Sequence, residues 1–588
     1  MTTETSTTTS TTTTTEQTAA STAYQMEPAW WTNSVVYQIY PRSFADANGD
    51  GMGDLRGIIN HLDHLAELGV DVVWLSPIYR SPQADNGYDI SDYQDIDPLF
   101  GTMADFEELL TGLHDRGIKL MMDLVVNHTS DEHPWFVESR SSTTSPKRDW
   151  YYWRDPRDGR EPNNWGSFFS GSTWQLDEAT GQYYLHLFDV KQPDLNWENP
   201  EVREAVYAMM RWWLDKGVDG FRMDVINFLS KVDGLPDAPP VEGREFVNAF
   251  ALYADGPRMH EFLAEMHREV FAGRPGQFIT VGETPGVTTQ EAVLYTDPRR
   301  AELDMVFQFE HVGLDQLPTD KFAYAAPAPG AVKASLYRWQ TALGQAGWNS
   351  LYWDNHDQPR AVSRFGDDDP QWWETSAKTV ATILHGMRGT PYVYQGEEIG
   401  MTNYPFATGA DFQDVEVVNY LASLRARGGD EETALTGIRK ISRDNARTPV
   451  QWDSGPYAGF SSVSPWLPVN PNASWLNAAA QVGESGSVFE HYKSLIALRK
   501  SLPVLALGSF EAIESDAANP AVWAYTRTLG ESRVLVVANA GREPVAVDVG
   551  EDWVGARLVL GSGLDVEPVL GAGPVPLAGW ESRMYLIK

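Results

Sequence analysis

Three short stretches of this 588-residue chain end in carboxylates that sit beside other functional side chains. GFRMDV (220–225) carries Arg222 and Asp224, VGE (281–283) carries Glu283, and DNHD (354–357) carries His356 and Asp357. In GFRMDV the apolar Phe221, Met223 and Val225 alternate with Arg222 and Asp224, which is the period of a strand. The arginine and the aspartate therefore point the same way, and burying both is costly unless they pair or act on a ligand. A fourth stretch, DLVVNH (123–128), adds Asp123, Asn127 and His128. One acidic strand end is uninformative, because an ordinary buried ion pair explains it. Asp224, Glu283 and Asp357 converging in one place are different. Two carboxylates flanking a scissile glycosidic bond supply a nucleophile or base on one side and a proton donor on the other.

Such convergence needs a scaffold that ends many strands at one face. Eight apolar segments recur with helical segments between them: VVYQIY (35–40), VVWLSP (72–77), KLMMDLVV (119–126), GFRMDV (220–225), FITVGE (278–283), DMVFQFE (304–310), SLYWDNHD (350–357) and TPYVYQG (390–396). Before the fourth, Asn199 can cap a helix, Pro200 suits its first turn, and Val202, Val206, Met209 and Trp213 mark one face. Helices are also predicted over 103–117 and 373–387. Eight βα units predict an α/β fold, a TIM (β/α)8 barrel, whose active site lies at the C-terminal strand ends. The barrel is expected over 28–128 and 197–501. An aromatic-rich domain is inserted at 129–196 after strand 3, and an extra loop subdomain at 401–466 follows strand 8. From 502 to 588 the pattern changes to short β segments, which predicts a C-terminal antiparallel β-sandwich with a turn at 571–576.

Composition narrows the partners. A formal charge of −36, from 45 basic and 81 acidic residues, argues against nucleic acid and against anionic membranes, both of which need basic patches. There is no cysteine, hence no disulfide and no thiolate chemistry. Twenty-two tryptophans together with the acidity suit a carbohydrate site, where rings stack on sugars and carboxylates bind hydroxyls. No stretch reaches the ~18 consecutive apolar residues of a membrane span. Residues 1–27 are Thr/Ser-rich and are expected to be disordered. They lack the basic and apolar regions of a secretory signal, which points to the cytoplasm.

With DLVVNH, QPDLN (192–196), GFRMD, VGE and DNHD in this order, the chain resembles the α-amylase superfamily of glycoside hydrolases (glycoside hydrolase family 13), within it the oligo-1,6-glucosidase/α-glucosidase group. The likeness runs from about residue 30 to the C-terminus. It implies that Asp224 is the nucleophile, Glu283 the acid/base and Asp357 the stabiliser of an oxocarbenium-like transition state that also grips the 2- and 3-hydroxyls. The product keeps its anomeric configuration, and the Asp224 and Glu283 carboxyls stand ~5–5.5 Å apart. Asp224 and Asp357 should push the Glu283 pKa up. Arg222 would orient Asp224, and His128 and His356 would bind sugar hydroxyls. In DNGYD (85–89) Asp85 would hold the 4-hydroxyl of the non-reducing glucose, with Tyr88 as a stacking wall. Phe169 and Gln192 are further substrate contacts. Arg447 of RDNARTP (443–449) would pair with Asp85 and close the pocket behind the first sugar, making the enzyme exo-acting. Val225 after the nucleophile leans towards α-1,6 linkages. Thr284 should border the acceptor side, which opens α-1,4 or sucrose preference, or transfer to a sugar, as the alternative. The expected partner is a short oligosaccharide, and the chain is a monomer or weak homo-oligomer.

DANGDGMGD (46–54) reads as a calcium loop. Asp46, Asn48 and Asp50 alternate, Gly51 permits a sharp turn, and Asp54 adds another oxygen. An EF-hand is excluded because Gly57 stands where the bidentate Glu belongs. The resemblance implies one structural Ca2+, or Mg2+, with the Met52 carbonyl as a further ligand.

Overall fold

The computed structural model describes residues 28–588 except 318–319, 345, 514–518 and 564–565; the expected tail at 1–27 lies outside the described residues. Eight parallel strands form one sheet: β1 (Val36–Ile39), β2 (Val72–Leu75), β3 (Lys119–Leu124), β4 (Gly220–Met223), β5 (Ile279–Glu283), β6 (Met305–Phe307), β7 (Ser350–Leu351) and β8 (Thr390–Tyr394). Their order is β6-β5-β4-β3-β2-β1-β8-β7. A parallel bridge between Val306 and Asn349 joins β6 to the residue before β7 and closes the barrel.

Strand alternation sorts the side chains into two layers. Val36, Val72, Trp74, Met121, Val281, Met305 and Tyr392 share one cluster inside the barrel. Tyr37, Val73, Leu75, Leu120, Met122, Phe221 and Met223 belong to the core beneath the surrounding helices. Arg222 and Asp123 fall on the inner face, in register with one another across β3 and β4. The helix before β4 is α1 (Pro200–Lys216). Its Asn199 side chain accepts from Glu201 N–H, Pro200 opens it, and Gly217 ends it with φ 106°. Val202, Val206, Met209 and Trp213 are buried as the spacing requires.

Between β3 and β4 the chain makes an excursion with a helix, Pro134–Arg140, and a three-stranded antiparallel sheet of Trp153–Arg154, Gln182–Leu185 and Trp174–Asp177. Its aromatic core holds Trp165, Trp174 and Leu187 against Phe228 and Val225 from beyond β4. After β8 come the helices Val415–Ala426 and Glu431–Ile441 and the single turn Asp444–Arg447. Helix Val488–Ser501 packs back on the barrel. Residues Pro503–Leu507 are still helical, so the β region begins at Ser509. It comprises a five-stranded antiparallel sheet and the ribbon Val545–Val547/Val575–Leu577, which share the core of Val522, Leu535, Val537, Trp553 and Tyr585. Pro576 lies within that ribbon, opposite Ala546, so the predicted turn is confined to 571–574.

β4 and β5 approach so closely that a Cβ on Gly220 would lie 2.0 Å from the Ile279 carbonyl oxygen. Gly220→Ala must therefore push the two strands apart, at a cost of about 1–3 kcal/mol. We expect a lower Tm and less folded protein; an unchanged Tm would show that the strands part freely.

Candidate active site

Asp123, Asp224 and Glu283 meet around one guanidinium. Arg222 Nη1 donates to Asp123 Oδ1 and to Asp224 Oδ1, each at 2.7 Å, and its Nη2 lies 2.7 Å from Glu283 Oε2. Arg222 is 1% exposed, so water screens none of these contacts. Trp74 Nε1 (3.2 Å) and the Tyr88 hydroxyl (3.0 Å) donate to Asp123 Oδ2. Trp74 and Tyr88 also lie beneath the Arg222 charge, at 5.1 and 5.8 Å from their ring centres. The chain leaves β4 through Val225, which has φ 35° and ψ 43°. A β-branched residue in this left-handed region is strained. The turn delivers the Val225 N–H to Glu283 Oε2 at 3.0 Å.

A cavity of about 310 Å3 opens over the cluster. Asp224, Glu283 and Asp357 line it together with Asp85, Tyr88, His128 and Phe169. Val225, Phe168, Phe188 and Phe228 form an apolar side, and Gln316, Lys321, Gln358 and Glu416 a polar rim. Four of the residues assigned to substrate, Gln192, Arg222, His356 and Arg447, do not line the cavity but stand directly behind residues that do. Gln192 donates to Asp85 Oδ2 (3.2 Å). His356 stacks on Tyr88, with ring centres 5.2 Å apart and planes within 6°. Its Nδ1 meets the Gln38 amide nitrogen at 2.8 Å, which assigns the hydrogen to Nε2. That Nε2 is buried and has no hydrogen-bond partner among the described residues, and it lies 3.3 Å from Asp357 Oδ2. His128 Nε2 donates to the Tyr88 carbonyl (3.1 Å), and Asn127 meets its Nδ1.

The expected Arg447–Asp85 pair is replaced by another. Arg447 is drawn to strand end β7: its Nε donates to the His356 carbonyl (3.0 Å) and its Nη2 to Asp357 Oδ1 (2.7 Å). Arg443, four residues earlier, reaches Asp85 Oδ1 and Asp357 Oδ1, each at 3.4 Å, and is held by Asp414. It also lies 5.3 Å over the Phe169 ring. The spacing of the two arginines in RDNARTP, one helical turn, was the available signal. Asp123 and Asp414 were likewise outside the residues assigned to the site. Thr284 corrects a second expectation. It is fully buried and donates its hydroxyl to the Phe307 carbonyl (3.0 Å) rather than bordering the acceptor side; Pro285 lines the cavity instead.

Electrostatics divides the acids. Burial pushes Asp123 up to about 6 against the pull of Arg222. Burial raises Asp224 well above the ordinary carboxylate range; Arg222 opposes the rise, and the Glu283 and Asp123 charges add to it. Asp123 and Asp224 on one cation thus retain a proton where a free acid has lost it, and the two titrate as a unit. Asp357 goes the other way: burial would raise it, but the cationic groups around it, Arg443 and Arg447 among them, hold it well below its usual range. Burial also pushes His128 down to about 4 and His356 to about 3, so both rings are neutral near pH 7.

In the loop at 46–54, Asp46 accepts the N–H groups of Gly49 (2.7 Å) and Gly51 (2.8 Å), and Asp54 those of Ala47 and Asn48 (both 3.1 Å). Asn48 and Asp50 accept from Asp50 and Met52. Among the described residues no group of three or more His, Cys, Asp or Glu is gathered as a metal centre. The donor chemistry is nonetheless that of a hard-cation loop: Asp46 Oδ1, Asn48 Oδ1 and Asp50 Oδ1 each accept a single N–H and keep a second lone pair, and oxygen ligands suit Ca2+.

The cluster makes a pH prediction. As the expected nucleophile Asp224 must be ionised, so its raised pKa places the acid limb of kcat/KM above the ~3.9 of a free aspartate. Arg222→Gln removes the opposing charge. It should move that limb to higher pH and lower kcat, whereas Arg222→Lys keeps the charge but loses the fork and should lower kcat with a smaller shift. Identical acid limbs in wild type and Arg222→Gln would refute the assignment.

The profile of the alpha-amylase catalytic domain matches residues 38–508. An oligo-1,6-glucosidase of Parageobacillus thermoglucosidasius is 54% identical over 96% of this chain and 100% of its own length. An alpha-glucosidase of Pediococcus pentosaceus is 54% identical over 83% of this chain and 87% of its own. The crystal structure of the trehalulose synthase MutB from Pseudomonas mesoacidophila MX-45 superposes with a TM-score of 0.92 at 45% identity, covering 96% of this chain and 100% of that one. With a matching barrel, a carboxylate cluster at its C-terminal mouth and relatives this similar over nearly their whole length, the chain belongs to the alpha-amylase family of glycoside hydrolases, glycoside hydrolase family 13.

Proposed function

We propose that the protein is a retaining, exo-acting α-glucosidase that removes glucose from the non-reducing end of short oligosaccharides, preferentially through α-1,6 bonds, and works in the cytoplasm as a monomer or weak homo-oligomer. The observation that carries the reading is the single Arg222 guanidinium in contact with both Asp224 and Glu283. It fits a close, retaining carboxylate pair better than one separated by a water. Asp224 attacks the anomeric carbon while the proton of the cluster passes from Glu283 to the departing oxygen. The glucosyl ester is then opened by water, with Glu283 taking the water's proton. Asp357, kept anionic by Arg443 and Arg447, faces the developing positive charge. Asp85, braced by Gln192 and Arg443, blocks the far end of the cavity, which supports single-glucose release.

Val225 supports the α-1,6 preference by placing its branched side chain on the cavity wall beside the nucleophile. A second reading, transfer of glucose to a sugar or the rearrangement of sucrose, draws support from the apolar side formed by Phe168, Phe188 and Phe228, which holds water poorly near the glucosyl ester. A MutB variant solved with the substrate sucrose has 45% identity and a TM-score of 0.92 to this chain. For the loop at 46–54 we propose a structural Ca2+, held by side-chain oxygens of Asp46, Asn48, Asp50 and Asp54 and the Met52 carbonyl.

Glucose release from isomaltose, maltose and sucrose, measured in parallel with product analysis at high sugar, tests the reading. Isomaltose should lead, and Val225→Thr should narrow its advantage by roughly 10–200-fold. Maltose or sucrose in the lead, or rearranged sugars exceeding free glucose, would replace the first reading by the second. Glu283→Gln should cost about 10²–10⁴-fold on isomaltose and far less on an aryl glucoside that needs no protonation; equal losses would contradict its role as acid. Chelation should lower the Tm, and added Ca2+ should restore it; a Tm insensitive to both would leave the loop metal-free.

A further inference from the structure

We propose that a second cavity, separated from the candidate site by one stretch of chain, binds glucose or a short glucoside and loosens the wall of the catalytic cavity when it is filled. Its volume is about 520 Å3, within the roughly 300–1,000 Å3 of small-molecule sites, and it lies at a junction of structural units, where such sites are common. Asp315, Trp353 and Arg364 reach it from the barrel, Lys440 from the helix Glu431–Ile441, and Trp523 from the C-terminal β region.

The lining matches a neutral sugar. Tyr324, Phe365, Trp353 and Trp523 supply ring surface for the apolar faces of a pyranose. The Trp353 ring centre is 4.9 Å from that of Phe365 and 6.5 Å from that of Trp523, so these three rings form one wall. Tyr324 is 37% exposed, and Lys440 Nζ stands 4.1 Å over its ring. The charges are of both signs and largely matched. Arg364 forks onto Asp315, Nε to Oδ2 at 2.8 Å and Nη2 to Oδ1 at 2.7 Å. Lys333 donates to the carbonyls of Asn519 (3.2 Å) and Val522 (2.8 Å). Lys440 and Asp368 add one charge of each sign. Such a lining offers hydroxyl groups both donors and acceptors, and it lacks the concentrated charge of one sign that an ion needs.

The wall between the two cavities carries the functional consequence. Residues 311–316 pass between them: His311, Leu314 and Asp315 line the second cavity, whereas Val312, Gly313 and Gln316 line the catalytic one. Arg364 holds this partition from the side of the second cavity. Besides binding Asp315, it donates to the Val312 carbonyl and, through Nη1, to Gln358 Oε1 (2.6 Å). Gln358 lines the catalytic cavity beside Asp357. A sugar hydroxyl that accepts from Arg364, or donates to Asp315, competes with these bonds. Filling the second cavity therefore weakens the grip on Val312 and Gln358, and catalysis loses geometry on which its rate depends. Arg364 is a positioning residue here and touches no substrate. Feedback by released glucose rests on the glucosidase reading above, whereas sugar binding in the second cavity does not.

Binding of labelled glucose in equilibrium dialysis needs no turnover, so it tests the site apart from that reading. Wild type should bind two equivalents, and Asp85→Ala, disabled in the catalytic cavity, should bind one. Ala328 is an exposed residue of the second cavity's lining. Ala328→Trp should fill the cavity and abolish the equivalent that Asp85→Ala retains, with basal activity unchanged when it is the only substitution. Tyr324→Ala, which removes a stacking face, makes the same comparison if Ala328→Trp does not fold. In aglycone release from an aryl glucoside, kcat should fall as glucose is added to wild type and stay level in Ala328→Trp; glucose that only competes in the catalytic cavity raises KM and leaves kcat unchanged. Asp85→Ala that binds no glucose, or binds it equally with and without Ala328→Trp, overturns the site. The same dependence of kcat on glucose in wild type and Ala328→Trp overturns the coupling.

Discussion

Arg222 is a permanent cation placed inside a barrel, 1% exposed, with Asp123, Asp224 and Glu283 on its donors. An arginine in that position cannot lose its proton and cannot be left unpaired. Its presence forces carboxylates towards it from β3, β4 and β5, and their mutual repulsion limits how many can be ionised together. Acid–base chemistry follows from that conflict. The cluster keeps a proton that a solvated acid would lose, and the pocket above gives a sugar access to it. The planar fork also sets distances that a lysine could not.

Around this centre the protein uses two kinds of support. Rigid strands deliver Asp123, Arg222 and Glu283 in register, and Asp224 follows β4 directly with its N–H on the Leu124 carbonyl. Loops deliver Asp85, Asp357 and Arg443, and each of these is held by a buried polar partner: Gln192 for Asp85, Arg447 for Asp357, Asp414 for Arg443. The strained turn at Val225 belongs to the same economy of position. Its left-handed backbone brings one N–H to Glu283 and one branched side chain to the cavity wall, at a conformational cost the surrounding packing sustains.

The chain's large negative charge is not what makes the site acidic. The groups that matter are buried and respond to neighbours within a few ångströms. The two site histidines stay neutral near pH 7 because burial disfavours their charge. The two imidazoles therefore keep one protonation state across neutral pH, and titration is concentrated in the carboxyls.

The barrel, its eight strands and the meeting of Asp224, Glu283 and Asp357 at one cavity were legible in the sequence because they rest on local pattern. Alternation in GFRMDV places Arg222 and Asp224 on one face whatever surrounds them, and Asn199, Pro200 and Gly217 mark a helix by backbone chemistry alone. Which arginine of RDNARTP faces Asp85 was not legible. Arg443 immediately precedes and Arg447 ends the same single helical turn, and only the position of strand end β7 assigns Arg447 to Asp357 and leaves Asp85 to Arg443. Thr284 shows the same limit, since its hydroxyl turns to a carbonyl of β6 that lies beside it only in the folded barrel. Sequence by itself determined the elements and the types of chemical group, because propensity and periodicity act over a few residues. Tertiary structure alone decided the pairings, because a buried charge takes the partner that folding brings within hydrogen-bond reach, and that distance is set by segments far apart in the chain.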